Sequence, residues 1–273
     1  MAVQMRKALA NLNDELRYEP VSQRIRVFHG DVLVAETTGA MLVWEPRRIV
    51  PSYAVPRDDL RVDVVELDVP ADDPATAPPM LPPGRFAPHL SAGTVVSLRA
   101  GDTVLEQAGY ALSDPDLAGH VLLDWNAFEW VEEAAVMTGH AQDPFKRIKT
   151  LPSDRHVQVS FEGRLLADSR RGVLLLETSL PPRWYLPTQD VSMDLLEPSS
   201  HHTVCAYKGR ASYWSLADPE LGERGRDIGW FYPDPLHDAL PVKDLLCFWV
   251  ERTDLTLDGV EVPRPWSPFT GFS

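Results

Sequence analysis

The densest run of reactive side chains is His201-His202-Thr203-Val204-Cys205-Ala206-Tyr207-Lys208-Gly209, followed by Ser212-Tyr213-Trp214 and Trp230-Phe231-Tyr232-Pro233-Asp234-Pro235. An ammonium beside a thiol lowers the thiol's pKa and makes it a nucleophile, so Cys205 and Lys208 are the first candidates for covalent or acid–base chemistry. On a regular strand, however, Cys205 shares a face with Tyr207 and Lys208 with Ala206. The pair meets only if the chain bends at Gly209. Otherwise Cys205 packs as a small apolar residue and Lys208 lays its stem along the surface. His201, His202 and Cys205 do not read as a metal site, because adjacent histidines on a strand point apart and no further ligand stands at a zinc spacing.

Glu177 is the third catalytic candidate. It ends the apolar run Val173–Leu176, and a carboxylate buried there needs a partner. A pairing with lysine or arginine is favoured over a general-base role. Tyr185, Tyr207, Tyr213, Trp214 and Trp230 supply aromatic surface, most of it core and some of it a possible pocket wall, with Arg170 and Lys208 as polar contacts. No glycine-rich phosphate loop is visible, and Asp114-Pro115-Asp116 reads as a turn rather than a Mg²⁺ site. No cofactor is expected.

Two stretches about 130 residues apart read as copies of one module. Ala35 through Glu45 recurs as Ala167 through Glu177 at an offset of 132, and Pro51, Tyr53, Pro56, Asp59, Asp63 and Glu66 recur as Pro182, Trp184, Pro187, Asp190, Asp194 and Glu197 at 131. A period this long means duplicated domains, not a solenoid. At 273 residues the chain accommodates two domains, each able to bury its own core.

The elements that must position the reactive residues are mostly strands. Ile25 and Val27 alternate with Arg24 and Arg26, and Val157, Val159 and Phe161 repeat the pattern, with turns at Gly30 and Gly163. Met41–Trp44 and Val173–Leu176 read as strands buried on both faces. Asp258-Gly259, after Thr253, Leu255 and Leu257, marks a hairpin. Residues 70–88 hold Pro70, Pro74, Pro78, Pro79, Pro82, Pro83 and Pro88 and form an excursion loop. Two helices are expected: residues 3–17, from the spacing of Met5, Leu9, Leu12 and Leu16, packing as a lid or brace, and an acidic linker helix from Trp125, Phe128, Val131 and Ala135. The expected layout is an N-terminal helix over 1–20, a first β domain over 21–139, a linker over 140–154 and a second β domain over 155–273. The first copy offers Thr94-Val95-Val96-Ser97 where Cys205 to Lys208 would fall, so a single site belongs to the second copy or to the groove between domains.

A net charge of −14 opposes a general grip on phosphate backbones, and nucleic acid is not an expected partner. No apolar run approaches the length of a membrane span, no signal-peptide pattern opens the chain, and two cysteines are too few for a disulfide framework. The expected setting is cytoplasmic.

The order CAYKG (205–209), SYW (212–214) and WFYPDP (230–235), preceded by ADSRRGVLLLETSLPPRWYLP (167–187) and HAQDPFKR (140–147), resembles the domain-of-unknown-function 427 family in a tandem form covering most of the chain. The resemblance implies mainly antiparallel β domains of the Mss4-like or β-tent kind. Relatives of that architecture often hold zinc through paired cysteines, and this chain has no CxxC pair. The family also carries a nucleotidyltransferase-like label, which the missing phosphate loop and carboxylate set do not support. The leading reading is small-molecule binding in the second domain through Arg170, Tyr185, Tyr207, Lys208, Tyr213, Trp214 and Trp230. The alternatives are an enzyme using Cys205 and Lys208, and an interaction module whose aromatics are all core.

Overall fold

The computed structural model describes residues 2–69, 72–73, 75–267 and 269; Pro70 and Pro74 of the proline-rich stretch lie outside the described residues. The chain divides into two compact units, Met1–Asp143 and Pro144–Ser273. The first contains β1 (Arg17–Pro20), β2 (Ile25–His29), β3 (Val32–Thr37), β4 (Met41–Trp44), β5 (Ser52–Pro56), β6 (Asp63–Glu66), β7 (Gly93–Ala100), β8 (Thr103–Leu112), β9 (His120–Leu123), β10 (Glu129–Glu132) and β11 (Ala135–Val136). The second contains β12 (Ile148–Pro152), β13 (Val157–Phe161), β14 (Arg164–Ser169), β15 (Val173–Glu177), β16 (Arg183–Leu186), β17 (Leu196–Cys205), β18 (Gly209–Leu216), β19 (Gly229–Phe231), β20 (Leu246–Phe248), β21 (Asp254–Leu257) and β22 (Val260–Val262).

Each unit has one seven-stranded and one four-stranded antiparallel sheet. The large sheets run β1-β4-β5-β9-β8-β7-β6 and β12-β15-β16-β20-β19-β18-β17, and the small ones β11-β10-β2-β3 and β14-β13-β21-β22. Every strand of the first unit thus has its counterpart eleven strands later, in the same sheet position. The duplication read from the sequence is present in the strand order itself.

Strand alternation builds two apolar layers in each unit, one on either face of the large sheet. In the first, Leu42 and Trp44 join Val27, Val34 and Trp130 between the sheets, while Val43, Ala54, Tyr110 and Leu122 face outward under loops. In the second, Trp184, Leu186, Phe248 and Leu255 fill the inter-sheet layer, and Leu175, Tyr185, Tyr213, Trp230 and Cys247 form the outer one. Two-sided burial explains why β4 and β15 read as unbroken apolar runs.

Of the two expected helices the N-terminal one forms, shorter than its spacing suggests, and the linker one is corrected. Residues 3–17 form α1 (Met5–Asn11), uncapped by side chains at its N-terminus, continued by a 3-10 turn over Leu12–Asp14, and Arg17–Pro20 joins the large sheet against β4. Met5, Leu9 and Leu12 are exposed, so α1 does not pack as a lid; a helix this short is marginal without a buried face. The acidic linker helix is absent. Trp125–Ala127 is a single 3-10 turn whose start is capped by Asp124 accepting from the Asn126 N–H, and Glu129–Glu132 pairs with β2. There the two-residue period prevails: Phe128 and Trp130 are buried on either side of exposed Glu129, and Trp130 stacks on Trp125 at 5.1 Å. Ile148–Pro152, placed in the linker by its sequence, is instead β12, paired to β15. Among the described residues no helix is long and apolar enough to cross a membrane.

Candidate functional site

Alternation along β15 puts Glu177 on the same face as Val173 and Leu175, the outer face of the second large sheet. The chain then turns through residues 206–208, with Gly209 at φ +93, a conformation glycine adopts without strain. This bend carries Lys208 off the strand alternation and onto the side of Glu177. The Lys208 ammonium donates to Glu177 Oε2. Lys146 approaches Glu177 Oε1 at 3.5 Å and donates to the Thr178 carbonyl at 3.2 Å. The side chains of Glu177, Lys208 and Lys146 are 5%, 10% and 13% exposed, so two ammonium groups share one carboxylate largely out of solvent.

Charge pairing overrides burial here. Burial alone would raise the Glu177 pKa, but Lys208 and then Lys146 hold it below the usual carboxylate value. Burial would lower the Lys208 pKa, but Glu177, with Cys205 adding to it, keeps it above the ordinary lysine value. Lys208 therefore stays an ammonium, and a protonated lysine is neither nucleophile nor base. Around this centre Trp230 Nε1 donates to the Tyr185 hydroxyl at 3.1 Å, and the Thr203 and Tyr213 hydroxyls lie 2.8 Å apart. Burial raises the pKa of Tyr185, Tyr213 and Tyr232, leaving their hydroxyls protonated. Behind the tyrosines, Arg183 makes two hydrogen bonds to Glu251, at 2.6 and 2.7 Å. Its guanidinium lies 5.4 Å from the Trp230 ring centre and 5.1 Å from that of Trp249.

The residues singled out in the sequence distribute unequally. Glu177, Tyr185, Lys208, Tyr213 and Trp230 come together on the outer face. Cys205 lies near them, half-buried as a free thiol, whereas Cys247 is fully buried with a pKa pushed up to about 12 by burial. Tyr207 is half-buried in the turn. Trp214 points through the sheet into the inter-sheet layer, away from the cluster. Arg170 is exposed at the β14–β15 turn. His201 meets Asp227 at 3.5 Å and Tyr213 edge-on, while His202 lies by the Ala211 carbonyl and Ser212, so the two histidines do not converge. Sequence reading missed Lys146, hidden in an apparent linker, and the Arg183–Glu251 pair, whose partners lie 68 residues apart.

The first unit holds a related centre with different parts. Glu45, the counterpart of Glu177, accepts from Arg48 Nε at 3.3 Å and is 2.9 Å from His89 Nδ1, all through Oε2. His89 stacks on Tyr110 at 3.8 Å. Burial, then Glu45, pushes the Tyr110 pKa up to about 12. Arg48 also donates to the carbonyls of Arg85, Phe86 and Pro88, clamping the excursion loop. Ladder register aligns Val95 and Val96, opposite Tyr110 and Gly109, with Tyr213 and Trp214, opposite Trp230 and Gly229. Thr94–Ser97 is therefore the counterpart of the strand after Lys208, not of Cys205–Lys208, and the excursion loop takes that place. A cleft of about 40 Å³ beside this loop is lined by Arg48, Leu81, Phe86, Trp125, Asn126 and His140 among others. It admits a few waters and is far below the roughly 300–1,000 Å³ of ordinary ligand pockets.

Fold and site together define a duplicated antiparallel β protein with a buried carboxylate–cation centre in each half. A family model described as a domain of unknown function (DUF427) matches residues 17–72 and 149–259. The matched segments make up more than half of the chain, and the protein belongs to that family. No curated protein matches the chain.

Proposed function

We propose that the second domain binds a small molecule at the outer face of its large sheet, around Lys208 and Cys205, and that the first domain is a scaffold. The observation carrying this reading is the contrast between the copies. Where the second has Tyr185, Cys247 and Tyr213, ladder register places Ala54, Leu122 and Val95 in the first. At these three sheet positions plain apolar residues in one copy correspond to hydroxyls and a thiol in the other, while at a fourth the first copy's Tyr110 stands where the second has Trp230. Stability does not require the polar set, since buried polar groups seldom outperform apolar replacements. A binding role accounts for retaining it.

The enzyme alternative, through Cys205 or Lys208, is weaker because the Lys208 ammonium is committed to Glu177. Kinship with the Mss4-like or β-tent architecture and a cytoplasmic setting belong to the same reading, supported by the paired sheets and the two free cysteines. The test is mass spectrometry of small molecules retained by the purified protein. Binding predicts a compound retained by wild type and by Cys205→Ser, and lost with Tyr213→Ala. Retention unaffected by Tyr213→Ala, or nothing retained at all, would reject this site.

A further inference from the structure

We infer that the compound taken by the second domain is a monocarboxylate with a hydrocarbon body, its carboxylate received by Lys146 beside Lys208. This inference rests on the binding reading above and specifies its chemistry.

Three observations support it. The first is charge. Lys146 and Lys208 together face one carboxylate, Glu177, leaving one positive charge in surplus at a largely buried centre. Of the neighbouring charges, Arg183 is matched by Glu251, and Asp227 shares Arg226 with Glu223. A surplus positive charge goes against the trend of a chain carrying −14. One surplus charge matches a monoanion, whereas a dianionic phosphate would leave a further charge uncompensated in a desolvated place.

The second is unused donor capacity. An ammonium has three N–H donors. Lys208 spends one on Glu177 in close contact. Lys146 spends one on Thr178, and its approach to Glu177 at 3.5 Å is long for a hydrogen bond. Of the three charged groups Lys146 is the most exposed, so its head can turn to an incoming anion without leaving the centre.

The third is the apolar rim. The Leu236 N–H donates to the Lys208 carbonyl at 3.1 Å, yet the Leu236 side chain is 44% exposed, and Leu240 in the next turn is 52% exposed. Exposed apolar side chains on the segment that pairs with the turn carrying Lys208 suit a ligand with a charged head and a greasy tail. The first domain lacks the fixed surplus, because His89 replaces the second lysine and its ring is taken up by stacking on Tyr110.

The test is calorimetric titration at pH 7 of wild type, Lys146→Gln and Lys146→Arg with acetate, hexanoate and benzoate, and with the neutral benzamide. Hexanoate or benzoate should bind more tightly than acetate and benzamide. Lys146→Gln should weaken binding at least about tenfold, the loss of one charge-assisted hydrogen bond, while Lys146→Arg should retain most of it. Lys146 is the most solvent-facing member, so its variants test charge without removing the Lys208–Glu177 contact. Benzamide binding as well as benzoate, or Lys146→Gln leaving affinity within about twofold, would discard the carboxylate, as would a series in which no acid binds. A neutral compound retained in the mass spectrometry above would do the same while leaving the binding site itself standing; nothing retained there would reject both.

Discussion

Lys208 and Glu177 are each tolerable in the interior only because of the other. Removing the lysine leaves a carboxylate with one long contact to Lys146, and breaking a buried pair in this way typically costs about 3–5 kcal/mol. Lys208→Met should therefore lower the urea midpoint markedly. The double variant Glu177→Leu with Lys208→Met should cost less than half as much, since both desolvation penalties vanish together and Lys146, partly exposed, can turn to water. Equal losses in the single and double variants would show that packing, not charge, holds the turn. The need for a partner was readable from Glu177 at the end of an apolar run; its identity was not, because Lys208 lies 31 residues away and reaches it only through a turn that interrupts strand alternation.

That turn is the element on which the site depends. Gly209 has φ +93, and a Cβ there would stand 3.1 Å from the Asp234 carbonyl oxygen and 3.4 Å from the Leu236 nitrogen. Both neighbours are backbone and cannot swing away. Gly209→Ala should cost about 1–3 kcal/mol, from the left-handed strain and from displacing residues 234–236, measured as a fall in unfolding midpoint with reduced near-UV aromatic ellipticity. The alternating strands β2, β13 and β21 and the Asp258-Gly259 hairpin, with φ of +53 and +81 at its two turn residues, were legible because period and turn chemistry are local. The Trp125–Ala135 segment misled because its apolar residues satisfy a helical spacing and a strand spacing together, and only the open edge of β2 decides between them.

For the whole molecule, the shifted groups define a pH window. Glu177 has a lowered folded pKa, so its stabilisation is complete above the ordinary carboxylate value and fades as pH falls below about 4.5. Lys208 has a raised folded pKa, so its contribution holds below about 10.5 and is lost as pH rises beyond that. Cys247, raised from 9.0 to about 12, keeps its proton when folded and sheds it when unfolded, so stability declines between those two pH values. Thermal unfolding midpoints of the intact chain should be flat between about pH 5 and 9 and fall on both sides, and Cys247→Val should soften the alkaline fall alone. An unchanged alkaline limb in that variant would remove Cys247 from the account.

Composition, period and a constant offset were enough to establish a duplicated, mainly β chain, because hydrophobic alternation and repeated residue types are properties of neighbours along the chain. Which cation meets which carboxylate, and that Trp214 and Arg170 leave a cluster that Lys146 joins, depended on ladder register and on one left-handed turn. Those are contacts between distant segments, and their energies act only once the sheets have closed.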